Sequence, residues 1–564
     1  MDLEAIKNPL FLKNLTDEEL RNVCEDIRNY IIDFTSANGG YLSGNLSSVE
    51  ISVMMNKCFN TEDFLIFDGN DINYTEKILN GRINELQMNS NGAYSLANAL
   101  GVATARDLEH KDYHVVAVVN STDLLSGRNI ETLNLISSSG RKLIIVFNDD
   151  TTIDRGIGMI DRLIASVRKT RSYNNLKDNV KDMIRPSKNG DKIIENIHNL
   201  KTNLKKTMID EGVFSEFNID YIGPINGHDL NELERAFEIA KDKDYPCVIH
   251  CLTTKGKGFK YAEACTNDIW NKVSSFNKET GALLVGENNE MRYGRNILGS
   301  LIEELMAENR DLVCVTTRNI NDYGVANVFA KYPQRSFDTS SSAENSLSFA
   351  SGMALNGKIP FLVFKAFELP NAYKMLRNQI GKLHKPLIIG LLDDGNLNYD
   401  LLNMLNGIYV VDPEDTVQLR DVAYSAQSAD EPTVIICQDK LLKNEKNTNF
   451  KTLELGKWQI SVNNDMKDAV ILGSGEQLKQ IKEIIEANHL PYDLINTLCI
   501  NPIDKLMADK LIQSNKKIYV YGHKSEILLL KYFNANSFTD RLIFMDDDGV
   551  DKLFAAIQQE NKKC

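Results

Sequence analysis

Short runs of β-branched and aliphatic residues recur along the chain from about residue 110 onward, at 115–119, 143–147, 247–252, 312–317, 361–364, 387–392, 408–411, 433–437, 469–472 and 518–521. Each is an unbroken apolar run, the pattern of strands buried on both faces of a parallel sheet. Between them lie stretches with helical periodicity. The clearest is 229–241 (DLNELERAFEIAK), with Asp229 at the cap position and Glu232 three residues on, the signature of a helix start. Strand and helix alternating this often predict an α/β fold of several doubly wound domains. Two polar stretches, 281–293 (GALLVGENNEMRY) and 442–451 (LKNEKNTNFK), read as linkers. They divide the 564 residues into 1–285, 286–441 and 452–564, in line with the domain number such a length suggests. Residues 154–217, crowded with Lys, Arg and Asp, read as a helical excursion from the first domain.

Composition narrows the class of protein. At 43% hydrophobic and 25% charged residues the chain is globular, which excludes a disordered or collagenous protein. Lys plus Arg number 64 and Asp plus Glu 78, a net charge of −14. Such a surface repels phosphate backbones and anionic lipid, so neither nucleic acid nor a membrane is expected as a partner. The N-terminus has no basic segment followed by an apolar one, and no apolar run approaches the roughly 18 residues needed to span a bilayer. Nine scattered cysteines, an odd number with no C-x-x-C pair, read as reduced thiols in a cytoplasmic protein.

Open α/β sheets take ligands at the carboxyl ends of their strands, so the residues just after each run are the candidates for chemistry. Asn120-Ser121-Thr122-Asp123 follows one run and Asn148-Asp149-Asp150 the next. Together they could hold a divalent cation through oxygen ligands. The same residue types are also the commonest in turns and caps, and the residues alone leave both possibilities open. Gly473-Ser474-Gly475 ends a strand and opens a helix, the arrangement of an anion cradle or of a plain strand–helix turn. Lys255, Lys257 and Lys260 in TTKGKGFK form a glycine-flanked basic loop, suited to a phosphate or simply to solvent. Cys247 and Cys251 share one face of a predicted strand and His250 the other, which argues against a metal site there.

The strings GGYLSGNLSSVE (39–50), KILNGR (77–82), ALGVATARDLEHKDYHVVAVV (99–119), YIGPINGHDL (221–230) and TKGKGF (254–259) resemble the 1-deoxy-D-xylulose-5-phosphate synthase family, transketolase-like enzymes that use thiamine diphosphate. The resemblance continues through 335–354 (RSFD…FASGMA) and covers most of the chain. It implies three doubly wound domains of the transketolase-like fold. Its members are homodimers that condense pyruvate, after decarboxylation, with glyceraldehyde 3-phosphate, using thiamine diphosphate and Mg²⁺. The first domain grips the diphosphate and metal; the second grips the aminopyrimidine and supplies a glutamate.

Carried over residue by residue, that pattern meets substitutions. The family's metal motif G-D-G falls on Asn120-Ser121-Thr122, so Ser121 stands where an Asp ligates Mg²⁺. The partner motif N-D-N falls on Asn148-Asp149-Asp150, with Asp150 in place of a ligating Asn and Thr152 in place of a carbonyl ligand. The resemblance thus implies Ser121, Asp150 and Thr152 as metal positions, and Asn120, Asn148 and Phe367 beside them as cofactor positions. Between Phe337-Asp338 and Phe349-Ala350 the glutamate position is Ala343, and Glu344, the candidate catalytic residue, lies one residue on. On a helix that offset turns a side chain by about 100°. None of the eight histidines falls on the family's active-site histidine positions, which read Tyr41, Asp71, Asn91 and Asn271; His228 is kept within GPINGHD. Phe364 and Phe367 remain where the family stacks the pyrimidine. Pro370 stands at or near an acceptor-phosphate arginine, 393–400 (DDGNLNYD) is all that is left of a longer loop, and Cys437-Gln438-Asp439-Lys440 replaces a second arginine motif. The segment between Arg82 and Ser90 is also shorter than is usual in the family.

The pattern that builds the fold survives while the polar site groups change together. The expectation is therefore a degenerate paralogue acting as a partner, a regulator or a binder of a small phosphorylated or keto-acid ligand, as a homodimer or as a heterodimer with an intact homologue. The alternative is a working synthase, with Asp150 taking the metal and Glu344 shifted into place. A third course is a different enzyme that reuses the cleft through Asp71, Asp123, Lys255 or Lys257.

Overall fold

The computed structural model describes residues 2–67, 69, 71–86, 95–124, 126–150, 214, 217–265, 269–284, 288, 290–317, 320–339, 342–445, 449–465, 469–514, 516–522, 524–536, 538–546 and 549–561. The chain divides into two compact units, Met1–Val285 and Gly286–Cys564.

In the first unit, helix α1 (Asp17–Asn38) starts at a reciprocal cap: the Glu19 amide donates to Thr16 Oγ1 and the Glu19 carboxylate accepts from the Thr16 amide. Its buried face carries Leu20, Val23, Ile27 and Ile31. Helix α2 (Val49–Cys58) follows, then strand β1 (Phe64–Phe67), helix α3 (Ser95–Leu108), and strands β2 (Val115–Asn120), β3 (Ile144–Asp149) and β4 (Asp220–Asn226). Helix α4 (Leu230–Lys241) and strand β5 (Cys247–Leu252) complete the series. The strands form one parallel sheet in the order β1-β2-β3-β5-β4. Val116, Val118, Val146 and Ile249 enter the core on one face, and Val115, Ala117, Ile145 and Val248 enter the core on the other. Burial of both faces is why these runs lack polar alternation. Asp229 caps α4 as predicted, accepting from the Asn231 and Glu232 amides.

The second unit opens with helix α5 (Gly294–Glu308), followed by β6 (Leu312–Thr316), β7 (Ser336–Asp338), helix α6 (Ala343–Leu355), β8 (Ile359–Lys365), β9 (Ile388–Asp393), β10 (Tyr409–Val411) and β11 (Thr433–Gln438). Then come β12 (Gln459–Val462), β13 (Ala469–Gly473), helix α7 (Gln477–Ala487), β14 (Tyr492–Asn496), β15 (Cys499–Asn501), β16 (Ile518–Tyr521) and β17 (Leu542–Met545). Two sheets result, β7-β6-β8-β9-β11-β10-β15 and β12-β14-β13-β16-β17. Both are parallel except at one edge, where β15 runs against β10 and β12 against β14. Strand β15 carries the chain from the five-stranded sheet onto the edge of the seven-stranded one.

All ten predicted runs are strands, and the doubly wound α/β class holds. The strands not anticipated are mostly half-buried edges, such as β1 and β17, or carry Gly and Pro, such as β4. At the two stretches read as linkers the chain forms a ladder, Met291–Tyr293 pairing antiparallel with Leu441–Lys443. The excursion at 154–217 lies outside the described residues apart from Phe214 and Phe217.

The packing of α5 fixes a test. A Cβ at buried Gly299 would lie 1.9 Å from the Gly324 carbonyl oxygen, a backbone atom that no rotamer change can move. Gly299→Ala is expected to lower the stability of the second unit by about 1–3 kcal/mol, read as a lower denaturant midpoint; an unchanged midpoint contradicts this packing.

Candidate functional site

The carboxyl ends of β2, β3 and β5 bring the polar residues of the first sheet together. Asn120 and Asn148 are paired across β2 and β3, so their amides meet on one side of the sheet. Asn120 Nδ2 donates to Asp71 Oδ2 (2.8 Å), Asn148 Nδ2 donates to Asn120 Oδ1 (3.0 Å), and Thr253 Oγ1 donates to Asn148 Oδ1 (2.7 Å). Asn148 Nδ2 also reaches Ser47 Oγ at 3.2 Å, and Ser47 Oγ lies 3.5 Å from Asp150 Oδ2. Ser121 begins a short helix, Ser121–Leu124, directly after β2. Thr152 and Asn91 lie outside the described residues.

This corner is acidic. Burial, and then the charges of Asp123 and Asp150, push the Asp71 carboxyl up to about 7, while Lys255 acts in the opposite sense. The backbone hems Asp71 in: a Cβ at Gly44 would meet the Asp71 carbonyl oxygen at 2.6 Å. Of the other positions where the family has histidine, Tyr41 and Asn271 are neighbours, since Tyr41 pairs with Lys272 in a two-stranded ladder and the Leu42 amide donates to the Asn271 carbonyl.

His250 and His228 both have structural partners. His250 Nε2 lies 2.8 Å from Asp149 Oδ2 and Nδ1 lies 2.7 Å from the Tyr221 hydroxyl. With Asp149 ionised, the ring donates through Nε2 and accepts from Tyr221, tying β3, β5 and β4 together. It stacks on Phe147 at 4.7 Å, away from the face where Cys247 and Cys251 enter the core. His228 Nε2 accepts from the Thr254 amide (2.8 Å), so Nδ1 donates to Glu50 (2.9 Å), whose other oxygen takes Arg28. Burial pushes the Glu50 carboxyl up, but His228 and Arg28 outweigh it and hold it below its ordinary value. A Cβ at Gly258 would meet Arg28 Cδ at 2.1 Å. The strings at 39–50, 221–230 and 254–259 are thus joints of the fold.

In the second unit, Glu344 sits in the first turn of α6, and its Oε2 accepts from the Ser342 hydroxyl at 2.8 Å. Ala343 is 5% exposed and belongs to the core of the seven-stranded sheet. Phe364 is fully buried in that core, leaving no face for a ligand, whereas Phe367 is 45% exposed just after β8. Pro370 lies in the first turn of the following helix, Leu369–Asn378. In 393–400, Asp393 closes its own turn by accepting from the Gly395 and Leu397 amides, and it also takes Gln438 Nε2; Asp439 pairs with Arg295 at 3.0 Å. Sequence reasoning missed Glu368. It is 4% exposed, and it accepts from Thr317 Oγ1 (3.1 Å), Tyr323 OH (2.7 Å) and the Lys365 amide (2.9 Å). A lone Glu between Phe367 and Leu369 at a strand end was the available signal.

Comparison with known proteins agrees with the resemblance read from the motifs. Residues 3–93 and 86–253 match the profile described as 1-deoxy-D-xylulose-5-phosphate synthase. The chain is 28% identical over 559 residues to the 1-deoxy-D-xylulose-5-phosphate synthase of Clostridium tetani (strain Massachusetts / E88), spanning 92% of this chain and 89% of that one. It is 28% identical over 567 residues to that of Alkaliphilus oremlandii (strain OhILAs), spanning 93% and 90%. Over nine-tenths of its length the chain is similar to proteins named 1-deoxy-D-xylulose-5-phosphate synthase. Among solved structures, transketolase from Campylobacter jejuni subsp. jejuni NCTC 11168 overlaps 94% of this chain and 95% of its own at 12% identity and a TM-score of 0.37; the fold assignment rests on the strand orders above.

The family works with thiamine diphosphate, and the described residues at its two positions do not fit that group. The amides of Asn120 and Asn148 are engaged with each other and with Asp71 and Thr253. Asp71, Asp123 and Asp150 present like charges to an anionic diphosphate. Among the described residues no group of three or more His, Cys, Asp or Glu is arranged to hold a metal. Glu344 is turned to its own cap rather than standing at the position of Ala343.

The acidic corner gives a pH test. An Asp with a folded-state pKa near 7 and an unfolded one near 4 binds more protons folded than unfolded between those values. Stability therefore falls as pH rises through that window. Asp71→Asn keeps an acceptor for Asn120 and removes the charge, so it is expected to raise Tm at pH 8 by several degrees and flatten the slope of Tm against pH between 5 and 7. An unaltered slope would show that Asp71 is not the group responsible.

Proposed function

We propose that this chain has kept the family's fold without its thiamine-diphosphate-dependent condensation of pyruvate with glyceraldehyde 3-phosphate, and that it serves in the cytoplasm as a partner or regulatory homologue. The carrying observation is the start of α6, where Ala343 packs into the core and Glu344 bonds to Ser342. Loss of a general acid–base group costs typically 10²- to 10⁴-fold in rate. The closed amide chain and the three carboxylates of the first sheet support the same reading. Thermal shift with thiamine diphosphate and Mg²⁺ tests it, since ligand at 100 times its Kd stabilises by about 2.7 kcal/mol. Tm is expected to stay flat, with no pyruvate consumed. A saturable rise together with pyruvate turnover would establish the working synthase with Asp150 on the metal.

The partner in this proposal is a second copy of the chain or an intact homologue. Each unit keeps an exposed helix face free of charge. On α3 it is Ala97, Gly101, Ala105 and Leu108, the last 74% exposed; on α6 it is Phe349, Gly352 and Leu355. Cβ atoms at Gly101 and Gly352 would meet nothing within 4 Å, so each helix has room for close approach by another backbone. Sedimentation is expected to give twice the chain mass, and Gly101→Arg to halve it with the circular dichroism unchanged. A wild-type chain that sediments as a monomer and co-purifies with no homologue removes this part of the proposal.

A further inference from the structure

In the five-stranded sheet the chain leaves β13 for β14 on one side and later enters β16 on the other. The carboxyl ends of β13 and β16 therefore border a topological switch point, the place where such sheets take ligands. After β13 come Ser474 and Gly475, and after β16 comes Lys524. Helix α7 starts two residues beyond Gly475, and its capping residue Glu476 makes no side-chain cap bond, so the turn precedes the positive end of a helix dipole.

A carboxylate occupies this corner, and it comes from the other sheet of the same unit. Asp412 directly follows β10, is 3% exposed, and anchors its amide on the Leu498 carbonyl. Its Oδ2 accepts from Ser474 Oγ at 2.7 Å and from Lys524 Nζ at 2.8 Å. Gly475 is held at φ +78°, and a Cβ there would come within 2.7 Å of Lys524 Nζ and 2.8 Å of Asp412 Oδ2. Lys524 is itself fixed: its carbonyl accepts from Asn403 Nδ2 at 3.0 Å, and its ammonium lies 5.7 Å from the centre of the Tyr399 ring. The G-S-G turn that the sequence offers as an anion cradle does hold an anion.

We propose that Ser474, Gly475 and Lys524 form an anion site whose resident ligand is the chain's own Asp412 carboxylate. This internal ligand keys the five-stranded sheet onto the edge of the seven-stranded one, beside the β10–β15 pairing. The chemistry of the site is that of a small oxyanion: a hydroxyl donor, an ammonium and a helix start, with no room for a side chain at the turn. A free carboxylate or phosphate suits the same donors once Asp412 is withdrawn. None of this depends on whether the chain binds thiamine diphosphate.

The test uses the full chain and follows unfolding by the fluorescence of Trp458, which is buried beside the five-stranded sheet and donates to the Cys499 carbonyl; Trp270, in the first unit, is replaced by Phe in every variant. Removing one partner of a buried pair leaves the other charge uncompensated, so Asp412→Ala is expected to lower Tm by roughly 5 °C or more. Formate or inorganic phosphate should restore Tm saturably, beyond the effect of chloride at equal ionic strength, and should do nothing further in the Asp412→Ala/Lys524→Met double variant. Equal stabilisation of wild type and Asp412→Ala by these anions, or no loss of Tm on substitution, overturns the proposal. Should Asp412→Ala not accumulate folded, the near-isosteric Asp412→Asn and Lys524→Met form a double-mutant cycle. The site predicts a combined loss smaller than the sum of the two, and strictly additive losses refute it.

Discussion

A carboxylate withdrawn from water must be met by donors inside the protein or keep its proton. That constraint organises the strand ends of this molecule. Glu50 is met by Arg28 and His228, Asp149 by His250, Glu368 by Thr317, Tyr323 and the Lys365 amide, and Asp412 by Ser474 and Lys524. Asp71 has Asn120 as a donor, but its burial, and then the charges of two other carboxylates, hold its proton to about pH 7. A ligand with phosphate or carboxylate groups needs these same donors. Where the chain has already turned them inward, the usual attraction of a strand end for anions is spent on the chain itself.

The fold was legible in the sequence to the extent that burial is two-sided. Strands β2, β3 and β5 alternate between two cores, so most of their positions are apolar and the run stands out. Strand β17 at an edge and β4 with its Gly-Pro carry no such signal. The joints were legible as motifs but not as joints: that His228 accepts from Thr254 and donates to Glu50 depends on contacts across 26 and 178 positions. For the same reason Gly473-Ser474-Gly475 could be read as a cradle while its occupant, 62 positions away from Ser474, could not. Glu368 shows the limit most sharply, since its donors Thr317 and Tyr323 come from the loop after a different strand.

The contrast between retained joints and altered chemistry has an energetic basis. Glu50, Arg28 and His228 sit in one buried network, and losing any member leaves the others desolvated without a partner, a cost of several kcal/mol. Gly258 cannot gain a Cβ without striking Arg28. By contrast, putting an apolar group where a site carboxylate stood removes a desolvated charge, which is often neutral or stabilising for the fold. Ala343, packed into the core at the head of α6, is such a residue under the proposed function. Under the proposed function, site groups could therefore be exchanged one by one at little cost to folding, whereas exchanging a motif joint costs several kcal/mol.

The same logic explains why the first sheet is more acidic than an anion-binding corner should be. On the proposed function no diphosphate has to be attracted, and carboxylates there are then limited by burial and mutual repulsion and not by a ligand. Burial of Asp71 first, and then the charges of Asp123 and Asp150, raise its carboxyl to about 7. Lys255 moderates the field, and the Asn120–Asn148 pair gives Asp71 a neutral donor instead of a charged one. The corner is thus stable as a proton-holding cluster, a chemical character opposite to that of a phosphate cradle on the same strands.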